Sequence, residues 1–267
     1  MKNKILALII GLTLLSVSSC GLLSRKYTKT KTDEFSLNTA GKQKVKLDNI
    51  NGTVTISHSN DSGLITVRAF KEIKVKKKFL DTPFDEIEIK IDTSGNSISI
   101  ATDLKKKGED DVLKFNIDRG QRVDYEILVP SGVNIEVENI NGDIIANSLD
   151  NDLKIDLLNG EVSLQNYTGL LECDITNGEF TGHIDSTRGM NINTVNGGVS
   201  LFLNNFMNVN LRAETSNGKI IQENLNFRNL IKERGLFKGK LGNGDANVDI
   251  RVETINGRIR LFGRNEI

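Results

Sequence analysis

The sequence predicts an all-β protein, specifically a β-solenoid in which coils of about 18–21 residues with Asn-Gly turns stack on one another. The dipeptide Asn-Gly recurs along the chain, and from Asn141 to Asn217 successive copies are 18, 18, 19 and 21 residues apart. Apolar and polar residues alternate on both sides of each copy, which is typical of strands with one buried face. The 267 residues include 24 glycines and only two prolines. Asn and Gly both tolerate the positive φ that a tight corner requires.

The corners of the predicted coils are a set of Asn-Gly pairs, which we expect to be structural turns. They are Asn51 and Gly52, Asn141 and Gly142, Asn159 and Gly160, Asn177 and Gly178, Asn196 and Gly197, Asn217 and Gly218, and Asn256 and Gly257. A further copy, Asn243-Gly244, lies in the longer gap between the last two pairs. Because the corners recur in register, their asparagine side chains can form a ladder along the stack.

An alternative fold fits the same pattern. Asn-Gly between alternating segments is also the strongest short-range signal for a β-hairpin, so an antiparallel β-sandwich or an up-and-down barrel remains an alternative. We favour the solenoid because the same apolar positions recur in register, as the stacking of similar coils requires. Hairpins would instead pair the two strands that flank each Asn-Gly. Only residues 224–234 (NLNFRNLIKER) have a spacing compatible with a helix.

The first twenty residues predict an export signal. Lys2 and Lys4 precede an apolar run of eleven residues, 5–15 (ILALIIGLTLL), which is too short to span a bilayer core of about 30 Å as a helix. A basic start, an apolar run and small residues form the pattern of a secretory signal peptide. Residues 17–20 (VSSC) resemble the lipobox of bacterial lipoproteins, which implies cleavage before Cys20 and lipidation of its thiol. The alternative is an ordinary signal peptide with an incidental cysteine.

The predicted organisation has four segments. Residues 1–19 form a lipoprotein signal peptide, 20–32 a lipidated tether, 33–130 an irregular N-terminal β-repeat region, and 131–267 a regular Asn-Gly β-repeat region. The boundary lies where Pro130 is followed by Ser-Gly, and we expect the stack to continue across it. Since a lipidated Cys20 cannot form a disulfide, Cys173 is predicted to be a buried apolar residue.

Three passages resemble the putative-adhesin β-strand-repeat family, which comprises bacterial cell-envelope domains of unknown function. They are residues 125–144 (YEILVPSGVNIEVENINGDI), the run of Asn-Gly units flanked by threonine or asparagine, and residues 242–262 (GNGDANVDIRVETINGRIRLF). The resemblance covers residue 33 to the C-terminus. It implies a repetitive β-fold, export and no known catalytic residues. Roles discussed for such domains are adhesion and envelope-stress sensing, and neither maps onto particular residues.

Composition argues against several other classes of function. Thirty-five basic and 35 acidic residues give no net charge, so a nucleic-acid partner is not expected. His58 and His183 are the only histidines, they have no metal-ligand spacing, and no Gly-x-Ser-x-Gly motif is present. A polysaccharide-active enzyme would need two carboxyl groups about 5–9 Å apart. The candidates for such a pair are Asp150, Asp152, Asp156, Asp174 and Asp185. The basic stretch 71–79 (KEIKVKKKF) fits a strand with one solvated face or a patch for an anionic polymer.

The sequence therefore favours a non-catalytic, lipid-anchored cell-envelope protein without a cofactor or a metal. Its rigid β-repeat surface would serve adhesion, scaffolding or partner binding. The expected partners are the membrane, through the N-terminal lipid, and an envelope protein or a cell-surface polysaccharide. An envelope-stress or signalling accessory protein is the alternative, and a polysaccharide-active β-solenoid enzyme is the third hypothesis.

Overall fold

The computed structural model describes residues 26–77, 80–81, 84, 87–104 and 120–264. The predicted signal peptide and the predicted lipidation at Cys20 lie outside these residues. The described part of the chain folds into 21 β-strands in two sheets and contains no α-helix.

The strands are numbered in chain order. They are β1 (Lys26–Asn38), β2 (Lys44–Asn51), β3 (Val54–His58), β4 (Leu64–Lys76), β5 (Ile87–Asp92), β6 (Ser97–Leu104), β7 (Arg122–Val129), β8 (Asn134–Asn141), β9 (Ile144–Asn147), β10 (Leu153–Asn159), β11 (Val162–Gln165), β12 (Leu170–Asn177), β13 (Phe180–Ile184), β14 (Gly189–Asn196), β15 (Val199–Asn204), β16 (Val209–Asn217), β17 (Ile220–Glu223), β18 (Phe227–Glu233), β19 (Leu236–Leu241), β20 (Val248–Asn256) and β21 (Ile259–Arg264). Sheet 1 has the order β1-β4-β7-β3-β9-β11-β13-β15-β21-β17, and sheet 2 has the order β18-β19-β16-β20-β14-β12-β10-β8-β2-β6-β5.

Each predicted Asn-Gly corner joins a strand of sheet 2 to a strand of sheet 1. The two strands that flank a corner therefore lie in different sheets and do not pair with each other. Instead, each strand pairs in parallel with its equivalents in the neighbouring coils, so that Ile155 lies beside Val137 on one side and Cys173 on the other. The predicted all-β solenoid is confirmed. The hairpin-based sandwich and the closed barrel are wrong, because the corner turns the chain from one sheet to the other.

The order of the coils in the stack differs from their order in the chain. The last coil, β20 and β21, lies between the coil β14–β15 and the coil β16–β17. In the same way, β2 and β3 lie between β8–β9 on one side and β6 and β7 on the other. The stack is therefore continuous across residue 130, and the parallel coil at one of its ends, β16–β17, is not the last coil in the sequence.

Antiparallel strands cover one end of the stack in both sheets and the other end in sheet 2, whereas β17 is the edge of sheet 1 at that second end. At one end, β5 pairs with β6 in sheet 2, and β4 and then β1 extend sheet 1 beyond β7. At the other end, the hairpin β18–β19 pairs with β16 in sheet 2. Residues 227–233 form strand β18, so a helix over residues 224–234 is wrong. The ring of Phe227 instead packs 4.9 Å from that of Phe237 and covers the end of the core.

Strand β1 corrects the boundary that was predicted for the tether. It begins at Lys26 and pairs with β4 over 13 residues, so residues 26–32 belong to the folded body. The basic stretch that starts at residue 71 forms the end of β4, where Lys74 and Lys76 are exposed on one face and Ile73 and Val75 are buried on the other, as predicted. Lys71 is only 3% exposed and forms an ion pair with Asp33 of β1, which is itself 7% exposed. This buried pair connects β1 to β4, in addition to the antiparallel backbone pairing of the two strands over 13 residues.

The core lies between the two sheets and is built from the inward-facing residue of every second position. In sheet 2, Ile155, Cys173, Ile192 and Val252 lie in register on four neighbouring strands, and each of them is fully buried. Cys173 is a free buried cysteine, as predicted, and burial raises the pKa of its thiol. Since inward positions are filled by aliphatic side chains, the outward positions are left to form the surfaces of the molecule.

Candidate functional site

A ladder of asparagine side chains runs along one corner of the stack. Asn159 donates its Nδ2 hydrogen to Asn141 Oδ1 at 2.9 Å, and Asn177 donates to Asn159 Oδ1 at 3.0 Å. Six such bonds of 2.8–3.0 Å connect the ladder in stack order through Asn51, Asn141, Asn159, Asn177, Asn196, Asn256 and Asn217. Asn243 takes no part in this series of bonds and lies in the loop between β19 and β20.

The glycines of the same corner allow the coils to approach closely. Gly178 has φ +151°, and a Cβ atom placed on it would lie 1.6 Å from the carbonyl oxygen of Gly160. The other corner glycines also lie close to the backbone of the adjacent coil or strand. They are Gly52, Gly142, Gly160, Gly197, Gly257 and Gly218. The Asn-Gly pairs therefore build the scaffold, and any binding surface has to lie elsewhere.

Two rows of side chains beside this corner stand out on the outer face of sheet 2. The aliphatic row comes from the residue immediately before each ladder asparagine. It comprises Ile50, Ile140, Leu158, Thr176, Val195, Ile255 and Ser216. The acidic row comes from the residue three positions before each ladder asparagine. It comprises, in stack order, Asp48, Glu138, Asp156, Asp174, Asn193, Glu253 and Glu214.

These two rows line a groove of about 790 Å³, which we call the acidic groove. It extends from Thr102 on β6 to Gly235 in the turn of the hairpin β18–β19, across most of the stack. The aliphatic side chains along it are partly open to solvent, with 44% of Leu158 and 49% of Ile255 exposed. The groove therefore combines apolar contact area with a line of carboxylates at the strand spacing of about 4.8 Å.

Charge compensation in the acidic row is uneven. At the β2 end, Lys46 lies 2.6 Å from Glu138 and 3.2 Å from Asp48, and the hydrogen bond to Glu138 raises the pKa of Lys46. In the middle, Asp174 accepts a hydrogen bond of 2.8 Å from Asn193. Glu253 forms no ion pair with any residue that the structure describes.

The carboxylates of the acidic row also influence one another. Partial burial raises the pKa of Asp156, and the negative charges of Asp174 and Glu138 on the adjacent strands raise it further. Lys154, 3.8 Å from Asp156, opposes this rise. Carboxylates on neighbouring strands therefore disfavour one another's charge, and a positively charged or hydrogen-bond-donating partner would relieve this effect.

The carboxylates that were considered for catalysis do not form one site. Asp156 and Asp174 lie side by side in the acidic row, as two members of a longer series of carboxylates. Asp152 forms an ion pair of 2.7 Å with Arg188, Asp150 accepts a hydrogen bond from Ser131, and Asp185 lies 3.2 Å from Arg264. In the part of the chain that the structure describes, no three His, Cys, Asp or Glu side chains converge as metal ligands.

The two histidines lie far from the acidic groove. His58 ends strand β3, and His183 lies on the outer face of sheet 1, where its ring stacks on Phe202 at 4.5 Å. Phe262 continues the stack at 5.2 Å from Phe202. Burial and Arg264 lower the pKa of His183. Both faces of the Phe202 ring are therefore covered by its two neighbours.

Comparison with known proteins gives the family. The chain matches the model of the Toastrack DUF4097 family over residues 26–261, which is most of its length. The chain belongs to the Toastrack DUF4097 family. The resemblance to the putative-adhesin β-strand-repeat family is thereby confirmed. No curated protein matches the chain in sequence.

Several solved structures are similar to this chain. A putative cell adhesion protein from Clostridium sporogenes is 16% identical with a TM-score of 0.50, and the match covers 88% of this chain and 100% of that one. A putative lipid binding protein from Parabacteroides distasonis is 9% identical with a TM-score of 0.37, over 86% and 96% of the two chains. A putative adhesin from Bacteroides fragilis is 10% identical with a TM-score of 0.26, over the same shares. Similarity at this level concerns the fold alone. Across its described ranges, this chain has no helix with the length and apolar character that a membrane span needs.

The acidic groove was not predicted from the sequence, although a signal for it is present. Aligned on the asparagine of each Asn-Gly pair, the repeats carry an acidic residue three positions earlier in six of seven cases, with Asn193 as the exception. The sequence does not show which residues lie next to each other on adjacent strands. Glu253 and Glu214 are adjacent only because the last coil lies inside the stack.

Proposed function

We propose that this chain is a non-catalytic, lipid-anchored protein of the bacterial cell envelope that binds a partner through the outer face of sheet 2. The acidic groove is the observation that carries this proposal. It repeats one pair of chemical groups, an aliphatic side chain and a carboxylate, on strand after strand. Repetition of like groups suits an extended partner, whereas catalysis needs unlike groups that converge on one point.

The exposed aliphatic row supports a binding role. Ile140, Leu158, Val195 and Ile255 are each 39–49% exposed on neighbouring or nearby strands. Soluble proteins rarely leave several large apolar side chains open to water in one groove unless another molecule covers them. The adjacent carboxylates would then select for a partner with positively charged or hydrogen-bond-donating groups.

The rigidity of the scaffold also supports a binding role. The asparagine ladder and the parallel backbone pairing hold the two rows in fixed register, so little conformational entropy remains to be lost when a partner binds. A rigid, repetitive surface at the cell exterior is what adhesion or scaffolding requires, and adhesion is therefore the role that we test first.

Serine substitutions in the aliphatic row test the groove. Ile140→Ser with Leu158→Ser removes apolar contact area, and the fold accepts a serine because Ser216 occupies the same row. The matched control, Ile145→Ser with Ile221→Ser, makes the same change on the outer face of sheet 1. We expect the groove variant to reduce attachment of cells to a surface several-fold and the control variant to leave it unchanged.

The same strains distinguish adhesion from the second hypothesis, which is the envelope-stress accessory role. A groove variant that attaches normally but responds differently to cell-wall antibiotics would favour the envelope-stress accessory role over adhesion. If attachment and antibiotic response both match the control, the acidic groove is not the binding surface.

Cys20→Ala tests the lipid anchor. Without the thiol no lipid can be attached, so we expect the protein to move from the membrane fraction to the aqueous fraction on cell fractionation. A Cys173→Ala variant is the control, since this buried cysteine should not affect membrane association. Continued membrane association of the Cys20 variant would show that another element anchors the chain.

A further inference from the structure

A second concave region lies on the outer face of sheet 2, toward the opposite ends of the same strands. It is a cleft of about 860 Å³ that crosses β14, β20, β16 and β19, and it shares no lining residue with the acidic groove. Gly189 leaves space at one side of the cleft beside the half-exposed Leu170. Asn229, in the turn-like bulge of β18, lies at the other side.

The lining of this cleft is strongly basic. Its cations are Arg188, Arg212, Arg251, Lys238 and Lys240, whereas Asp249 is its single carboxylate. Asp249 already accepts a hydrogen bond of 2.9 Å from Asn210. We call this region the basic cleft.

Three of the cations form no ion pair among the residues that the structure describes. Arg188 pairs with Asp152, and Arg212 pairs with Glu214. Arg251, Lys238 and Lys240 form no ion pair with any of the residues described in the structure. The protein therefore leaves positive charge in a concave region without compensating it.

The cations are also arranged in a line. Arg251 on β20 is in register with Arg212 on β16, which is in register with Lys238 on β19. Neighbouring strands are about 4.8 Å apart, so the line runs across the strands and along the stack. Like charges on adjacent strands repel each other, and a bound anion would relieve this repulsion.

We propose that the basic cleft binds a linear anionic glycopolymer, that is, a chain of sugars or polyols with one carboxylate or phosphate group per repeat. A line of cations fits a chain with regularly spaced charges better than a single small anion. The amide side chains of Asn191, Asn210, Asn229 and Asn247 line the cleft beside the cations and are suited to hydrogen bonds with hydroxyl groups. The lining contains no aromatic residue on which a nucleobase could stack. This site is independent of the acidic groove.

The test measures binding of defined polymers to the full chain purified in a non-ionic detergent. Polygalacturonate supplies one carboxylate per sugar, poly(glycerol phosphate) supplies one phosphate per repeat, and dextran is the neutral control. We expect at least one of the two anionic polymers to bind, dextran not to bind, and added salt to weaken binding. The arm that binds identifies the charged group.

Charge-removing variants locate the site. Arg251→Gln with Lys238→Gln should weaken binding at least ten-fold. The control, Arg258→Gln with Lys219→Gln, removes two exposed cations just after the Asn-Gly corners of β20 and β16, outside the cleft, and should change binding less than two-fold. A single Lys240→Glu variant, which reverses one charge of the cleft, should also weaken binding. Thermal unfolding confirms that each variant remains folded.

Several results would overturn the proposal. It fails if neither anionic polymer binds, if dextran binds equally well, or if the control variant loses as much affinity as the cleft variant. Tighter binding of a single-stranded oligonucleotide than of either glycopolymer would also overturn it. Because Ile140 and Leu158 lie outside the cleft, failure here leaves the attachment test of the acidic groove unaffected.

Discussion

At the scale of single residues, the corner asparagines are linked to one another by side-chain hydrogen bonds. Asn177 donates a hydrogen bond to Asn159 and accepts one from Asn196, so both ends of its carboxamide are used. Asn217, at the end of the ladder, donates to Asn256 but accepts no ladder bond in return. The position of an asparagine in the stack therefore decides how many side-chain bonds depend on it.

This difference predicts unequal effects of one substitution. Asn177→Ala removes two hydrogen bonds, each worth about 0.5–1.5 kcal/mol, and should lower the free energy of unfolding by about 1–3 kcal/mol. Asn217→Ala removes one and should cost about half as much. Urea unfolding followed by circular dichroism measures both. Equal losses for the two variants would show that the ladder bonds contribute little to stability.

At the scale of secondary-structure elements, the most consequential feature is the position of the last coil. β20 lies between β14 and β16, with Asn193 beside Glu253 and Glu253 beside Glu214. In a stack that followed the chain, Asn193 would instead lie beside Glu214. Between β15 and β16 the chain thus leaves one coil position empty. The later strands β20 and β21 occupy that position.

Paired cysteines test this order. Asn193→Cys with Glu253→Cys places two thiols on adjacent strands, whereas Asn193→Cys with Glu214→Cys places them two strands, or about 9.6 Å, apart. A reagent that becomes fluorescent only after bridging two thiols should label the first pair and leave the second pair dark. The opposite pattern would show that the coils stack in chain order.

The sequence predicts the elements of the regular region well. The alternation of Val162 and Leu164 with polar neighbours, and the Asn-Gly corners, are local signals that each coil carries by itself. Coil order has no such local signal, because all coils present the same register to their neighbours. The groove and the cleft depend on that order, since Arg251 and Arg212 become neighbours only through it.

The end strands were harder to predict for a different physical reason. β1 contains mainly lysine and threonine at its start, which resembles a polar linker until Asp33 is known to pair with Lys71 of β4. β18 has exposed residues almost throughout, so it lacks the alternation of buried and exposed positions that marks the other strands. In both strands the stabilising partner is distant in sequence, and periodicity alone cannot indicate it.

At the scale of the whole molecule, the two ends of the stack limit further growth. β18 has a register shift between Arg228 and Ile231, with Asn229 at φ +51°. Such a bulge disrupts the regular row of backbone groups to which another strand could add. At the opposite edge, the lysines of β1 have a similar protective effect. The edge of sheet 2 at β18 and the edge of sheet 1 at β1 are therefore both protected against the addition of another strand.

The outer face of sheet 2 is polarised along its strands. Arg212 and Arg251 belong to the basic cleft, and Glu214 and Glu253, two residues further on, belong to the acidic groove. An extended partner lying along the stack would therefore contact mainly one sign of charge. Two partners of opposite charge could occupy the face side by side.

The asparagine ladder has a final consequence, for chemical ageing. Asn-Gly is the dipeptide most prone to deamidation, in which the glycine nitrogen attacks the asparagine carboxamide, ammonia leaves and a succinimide forms. In the stack, the Gly160 nitrogen donates to the Asn177 carbonyl at 3.0 Å, and the Asn159 carboxamide is bonded on both sides. The glycine nitrogen and the asparagine carboxamide are thus both restrained. The folded coils should therefore deamidate more slowly than the unfolded chain and keep the hydrogen bonds of the ladder.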